Sequence, residues 1–177
     1  MRYGLALAAM LASPAAAQDA TRHASGPVFD AFGSYAMVED IGRAPADARF
    51  AVAFDVPGAA ELGELNPAIE RAAKFVNMHV AHGVPEDDIR IAIVIHNVAV
   101  FDTLTEDARS AHGLGENASA AMIRAMLGQG VRFIVCGQSA AGLGVRRDEL
   151  IPGVEIALSA MTAHALLQQH GYTLNPF

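Results

Sequence analysis

Ile89-Arg90-Ile91-Ala92-Ile93-Val94-Ile95 is apolar almost throughout. A strand with one face in water alternates apolar and polar residues; a continuous run fits a strand covered on both faces, as in a parallel sheet. Phe50-Ala51-Val52-Ala53-Phe54, ending in Asp55, is a similar run, and Val131 to Cys136 and Val154 to Leu158 add two more. Helical patterns lie between them. Asn66 can cap a helix and Pro67 suits its first turn. Ile69, Ala72, Ala73, Val76 and Val80 follow at helical spacing, and Gly83 ends the run. Asn117 to Gln129 reads as a second helix with Met122, Ile123, Met126 and Leu127 inward. Ser159 caps a third that runs through Gln169, and Tyr172 to Asn175 suits a last short strand. The order β-α-β-α-β, then β-α-β, implies right-handed crossovers and an α/β fold with a largely parallel sheet of about five strands. Such sheets bind ligands beyond the carboxyl ends of their strands. Chemistry is therefore expected just after Phe54, Ile95, Cys136 and Leu158.

The rest of the chain divides around this pattern. Arg2, the apolar run Tyr3 to Ala12, the Ser13-Pro14 break and Ala15-Ala16-Ala17 match a secretory leader over residues 1–17, cleaved after Ala17. The run is too short for a bilayer span, which needs ~20 residues. A periplasmic protein with no membrane attachment after cleavage is the expectation. Residues 18–48 read as an irregular arm, punctuated by Gly26-Pro27, Gly33-Ser34, Gly42 and Pro45, with Val28, Phe29, Phe32, Tyr35 and Val38 available for packing. Residues 49–177 hold the α/β domain. A formal charge of −7, with only Arg146-Arg147 adjacent, argues against nucleic acid. The helix from Ala160 to Gln169 carries no Asp, Glu, Lys or Arg. A surface helix normally shows a charged face. It is either a subunit contact or a one-sided helix with Gln168, Gln169 and His170 in water.

Cys136 is the single cysteine, so an internal disulfide and a self-contained dithiol redox centre are both excluded. Gly137-Gln138-Ser139-Ala140-Ala141-Gly142 follows it, a strand-to-turn passage whose backbone N–H groups can converge on an anion and favour a thiolate. The alternative is a buried cysteine that packs as a small hydrophobe. His96-Asn97 lies on the same rim, where an imidazole can stabilise a thiolate or move a proton. Asp55 can hold a histidine or a backbone turn. Cys136 and His96 are thus the catalytic candidates, and Gly137, Gln138, Ser139, Asp55 and Asn97 the substrate-binding ones. His79 and His82 share a helix face, but the three or four ligands of a zinc site are not completed around them. Met122, Met126 and Met161 read as packing. Gly137 to Gly144 lacks the Lys-Ser/Thr of a phosphate loop, and Ser139 lacks a G-x-S-x-G elbow. No metal or cofactor is expected.

Val135-Cys136-Gly137-Gln138-Ser139-Ala140-Ala141, Leu150-Ile151-Pro152-Gly153-Val154, Ala157 to Ala163 and Leu167 to Phe177 together resemble the exported branch of the DsrE/F-like sulfur-relay family. Phe54-Asp55-Val56, the Asn66 to Gly83 helix and Val94-Ile95-His96 extend the resemblance over about Phe50 to Phe177. It implies a flavodoxin-like three-layer α/β sandwich that assembles into homo-trimers or homo-hexamers. It also implies a persulfide-bearing cysteine after a central strand, the position Cys136 matches, and a sulfur donor or acceptor protein as partner. A sulfur carrier is therefore the leading expectation, with small neighbours of Cys136 leaving room for the extra sulfur. Two rivals stand beside it: an oligomeric module that binds a small ligand or protein with an inert Cys136, and a thiol redox sensor.

Overall fold

The computed structural model describes residues 23–38, 42–45 and 47–175; the leader expected over residues 1–17 lies outside them. Among the described residues seven strands and five α-helices follow in order: β1 (His23–Ala24), β2 (Tyr35–Ala36), β3 (Phe50–Val56), α1 (Pro67–Ala81), β4 (Ile89–Ile95), α2 (Glu106–Ala111), α3 (Ala120–Gly128), β5 (Arg132–Cys136), α4 (Gly137–Gly142), β6 (Glu155–Ala157), α5 (Ala160–Gln169) and β7 (Thr173–Asn175). Strands β3 to β7 form one five-stranded sheet in the order β6-β5-β4-β3-β7, with every pair parallel. The expected α/β architecture is present.

The two sheet faces differ in bulk. Val52, Phe54, Val56, Ile91, Ile93, Ile95, Phe133 and Val135 point to one side, where α1 and α3 cover them through Ile69, Ala72, Ala73, Val76, Met122, Ile123 and Met126. On the other side lie Ala53, Ala92, Val94 and Ile134, covered by Ala163 and Leu167 of α5. Alanine at two of those four positions lets the helix lie close to the sheet. The chain reaches this second face only after β6, when α5 carries it back across the sheet to place β7 beside β3.

Helix α1 begins as its sequence suggests. Asn66 Oδ1 accepts from the N–H groups of Ala68 (3.0 Å) and Ile69 (3.3 Å). Pro67 occupies the first turn, and Gly83 turns the chain away at φ 93°. Residues 97–116, which carry no apolar period, form a 3₁₀ helix over Asn97–Thr103 followed by α2. The arm is ordered by one side chain of α1. Asn77, fully buried, accepts from the N–H of Phe29 (2.8 Å) and donates to the carbonyls of Phe29 (2.8 Å), Phe32 (3.1 Å) and Gly33 (3.1 Å). Asn77→Ala strands those groups, and each buried unpaired polar group costs ~1–3 kcal/mol unless water replaces the partner. Hydrogen exchange should then show lost protection at Phe29 while the sheet amides stay protected; unchanged protection at Phe29 would refute this anchoring role.

Candidate functional site

Side-chain alternation sends Asp55 of β3, His96 after β4 and Cys136 of β5 to the face covered by α5, since Ala53, Val94 and Ile134 point there. All three sit at the carboxyl end of the sheet. Ile95 pairs with Val135, so His96 and Cys136 follow side by side on neighbouring strands, and Cys136 pairs with Ala157 of β6. The sequence-derived candidates on the rim are thus gathered in one region.

Cys136 is 5% exposed. It directly precedes α4, and its sulfur lies where that helix and α5 begin. Burial alone would push the thiol up. Hydrogen bonds from the Ser139 side chain and from the backbone N–H groups of Ser139, Ala160 and Gln138 outweigh that penalty and hold the thiol below its ordinary value. The cradle therefore has two sources: the turn after β5 and the first residue of α5. Ser159 fixes the second, since its hydroxyl caps α5 by accepting from the N–H of Thr162 at 3.0 Å.

Ser139 is also linked outward. Its Oγ accepts the N–H of Asn97 at 2.9 Å. Asn97 directs that N–H from a left-handed backbone, φ 50°, which asparagine tolerates better than most residues. Asn97, a substrate-binding candidate from the sequence, is joined to Ser139 through its backbone N–H. Gln138 Nε2 donates to the Leu158 carbonyl at 3.4 Å, joining the turn to the end of β6. A Cβ on Gly137 would sit 2.7 Å from the Ala157 carbonyl oxygen, so glycine there permits close packing of α4 on β6. Ser139→Ala removes a donor to the sulfur, so the thiolate forms at higher pH. Alkylation by iodoacetamide near neutral pH should slow by about three- to tenfold, the equivalent of a hydrogen bond worth ~1 kcal/mol. An unchanged pH–rate curve would remove Ser139 from the cradle.

The second cluster centres on Asp55. His96 Nε2 lies 3.1 Å from Oδ2, and His164 Nε2 lies 2.7 Å from Oδ1. Partial burial would raise the carboxyl, but the hydrogen bonds from His164 and then His96 hold it below its usual range. Asp55 is therefore a carboxylate, which only accepts, and each ring donates its Nε2–H. His164 was not legible as a site residue. Its one signal is its place on the helix that follows the fourth buried strand, five residues beyond the cap. His79 and His82 are turned inward on their own helix, each Nδ1 bonded to a carbonyl one turn back, those of Phe75 and Met78.

The parallel five-stranded sheet in the order β6-β5-β4-β3-β7 has counterparts among known proteins. The DsrE/DsrF-like family profile matches residues 48–176. The chain belongs to the DsrE/DsrF-like family. Two solved structures share the fold of this DsrE/DsrF-like domain: MTH1491, a protein of unknown function from Methanobacterium thermoautotrophicum (TM-score 0.54), and the ychN protein from E. coli (TM-score 0.52). Each is 18% identical in sequence, and each alignment covers 72% of this chain and 99% of the other. No curated protein matches the chain.

Proposed function

We propose that this protein is an exported sulfur carrier that holds sulfane sulfur on Cys136. The observation that carries the reading is the set of hydrogen-bond donors around a thiol that is otherwise buried. In loading, the Cys136 thiolate attacks the outer sulfur of a donor persulfide, R–S–SH. The donor S–S bond breaks as the Cys136 S–S bond forms, and the donor leaves as a thiolate that receives, by way of His96 Nδ1, the proton the Cys136 thiol gave up. No external oxidant enters, because the transferred sulfur keeps its oxidation state. In release, an acceptor thiolate attacks the outer sulfur and Cys136 departs as a thiolate. A thiol of lowered pKa leaves faster, so the same donors that prepare the nucleophile favour handing the sulfur on.

The leader-like residues 1–17 support a periplasmic location. Among the described residues no helix is long and apolar enough to cross a membrane. Leu158, Met161 and Leu166 are 72%, 80% and 49% exposed on and beside a helix without charges. They support a homo-oligomer, trimer or hexamer, with α5 at the contact. The burial of Cys136 favours one rival, a binding module with an inert thiol. Intact mass after treating the reduced mature protein with polysulfide decides between them. The carrier gains one sulfur atom, which reductant removes, and Cys136→Ser gains none. No gain, with a thiol also inert to alkylation in the native state, leaves the binding module.

A further inference from the structure

Asp55 is spanned by two imidazoles of different origin. His96 comes from the end of β4, 41 residues away, and His164 from α5, 109 residues away. Among the described residues these rings are its only ion-pair partners. The carboxylate side chain is 36% exposed, so a single partner would leave it free to turn toward water. The shorter contact is the one from His164, at 2.7 Å. That ring is also the more buried of the two: its side chain is 15% exposed and His96's is 22%. His164 Nδ1 is buried and has no partner, so the ring's one bond is the donation to Asp55. Among the described residues the other titratable groups on this face are Cys136 at the same end, and Arg90, Arg132, Glu155, His170 and Tyr172 toward the opposite end. Arg132 and Glu155 pair with each other, and Arg90 lies over the Tyr172 ring.

We infer that His164 is a positioning residue of this site: it pins one oxygen of Asp55 so that the other holds the His96 ring in a single orientation beside the end of β5. The inference rests on the sulfur-carrier reading for its consequence and on the Asp55 geometry for its cause. In loading, the departing donor thiolate takes its proton through His96, and that delivery depends on the orientation of the ring. With Nε2 committed to Asp55, the proton must travel through His96 Nδ1. A loosened Asp55 lets that ring rotate and spreads Nδ1 over many directions. The helix that supplies the Ala160 N–H to the cysteine therefore also sets the proton donor, through a residue one turn further on.

The test compares wild type with His164→Ala and His164→Gln. Glutamine keeps an N–H donor at about the reach of Nε2. Three measurements are made: the Asp55 carboxyl titration by carbon NMR, the rate of sulfur transfer from a small persulfide donor onto Cys136, and the thermal melt. In His164→Ala the Asp55 pKa rises and transfer slows about tenfold, a part of the ~10²–10⁴ that a positioned acid contributes. His164→Gln restores both toward wild type. Transfer at the wild-type rate in His164→Ala overturns the inference, as does a glutamine variant that melts normally yet transfers as slowly as the alanine one. Wild type that never loads sulfur overturns the carrier reading instead. The Asp55 titration still judges the pinning in that case, and an unmoved pKa in His164→Ala overturns it.

Discussion

Asn66→Ala is expected to lower the unfolding free energy by about 3 kcal/mol. Asn66 is fully buried and uses every polar atom it has. Its Oδ1 caps α1, and losing such a cap costs ~1 kcal/mol. Its Nδ2 donates to the Gly58 carbonyl at 2.8 Å and to Asp102 Oδ2 at 2.7 Å. Asp102 is 2% exposed; its other partners are the Ala60 N–H, which donates at 2.7 Å, and Arg109, an ion-pair contact at 3.6 Å. Removing one donor from a buried carboxylate costs ~1–3 kcal/mol. At ~2–4 °C per kcal/mol for a chain of this size, the melting point falls by about 6–12 °C. Asn66→Ser keeps the cap and loses the Asp102 bond, so it should fall between. A melt within 2 °C of wild type for the alanine variant would contradict this account. The network joins the loop after β3 to the segment after β4, so its loss should also loosen the rim that carries Asp55 and His96.

Cys136→Ser is expected to abolish sulfur loading completely while the fold persists. Serine is close to isosteric, and its hydroxyl can occupy the same cradle. A serine hydroxyl does not take up sulfane sulfur under these conditions, so the loss is total rather than graded. The wild-type thiol should react with iodoacetamide along a pH curve displaced below that of a free cysteine. The sign follows from the hydrogen bonds: donors to sulfur favour the thiolate, which then persists at lower pH. A curve displaced upward would mean that desolvation wins and that Cys136 is a core residue. The cost of the variant should be small, because the donors around Cys136 remain paired with the serine oxygen.

The sheet was legible because its strands are buried on both faces. Ile89 to Ile95 and Phe50 to Phe54 could hardly be anything else, and the Asn66-Pro67 cap was equally plain. Cys136, His96 and Asp55 could be placed on one rim because each ends such a strand. Three things escaped. Residues 97–116 are held by Asp102, Asn117 and Arg109, whose polar bonding leaves no apolar period to read. The arm depends on Asn77, which looks like an ordinary polar position of a helix until Phe29 and Phe32 are brought against it. His164 meets Asp55 only because α5 returns across the sheet, and nothing local to residues 160–169 specifies that path.

The route of α5 also sets an order on events during folding. Strands β3, β4 and β5 can pair before the segment after β6 is seated, and Cys136 is then present with its local turn. The Ala160 N–H and the His164 ring arrive later, with the segment that seats β7 beside β3. Until then the thiol has part of its cradle and Asp55 has one imidazole. A chain arrested before that point would carry an ordinary cysteine, slow to ionise and slow to exchange. On the sulfur-carrier reading, the complete thiol site is thus withheld from unfinished chains, which limits stray thiol chemistry before folding is complete.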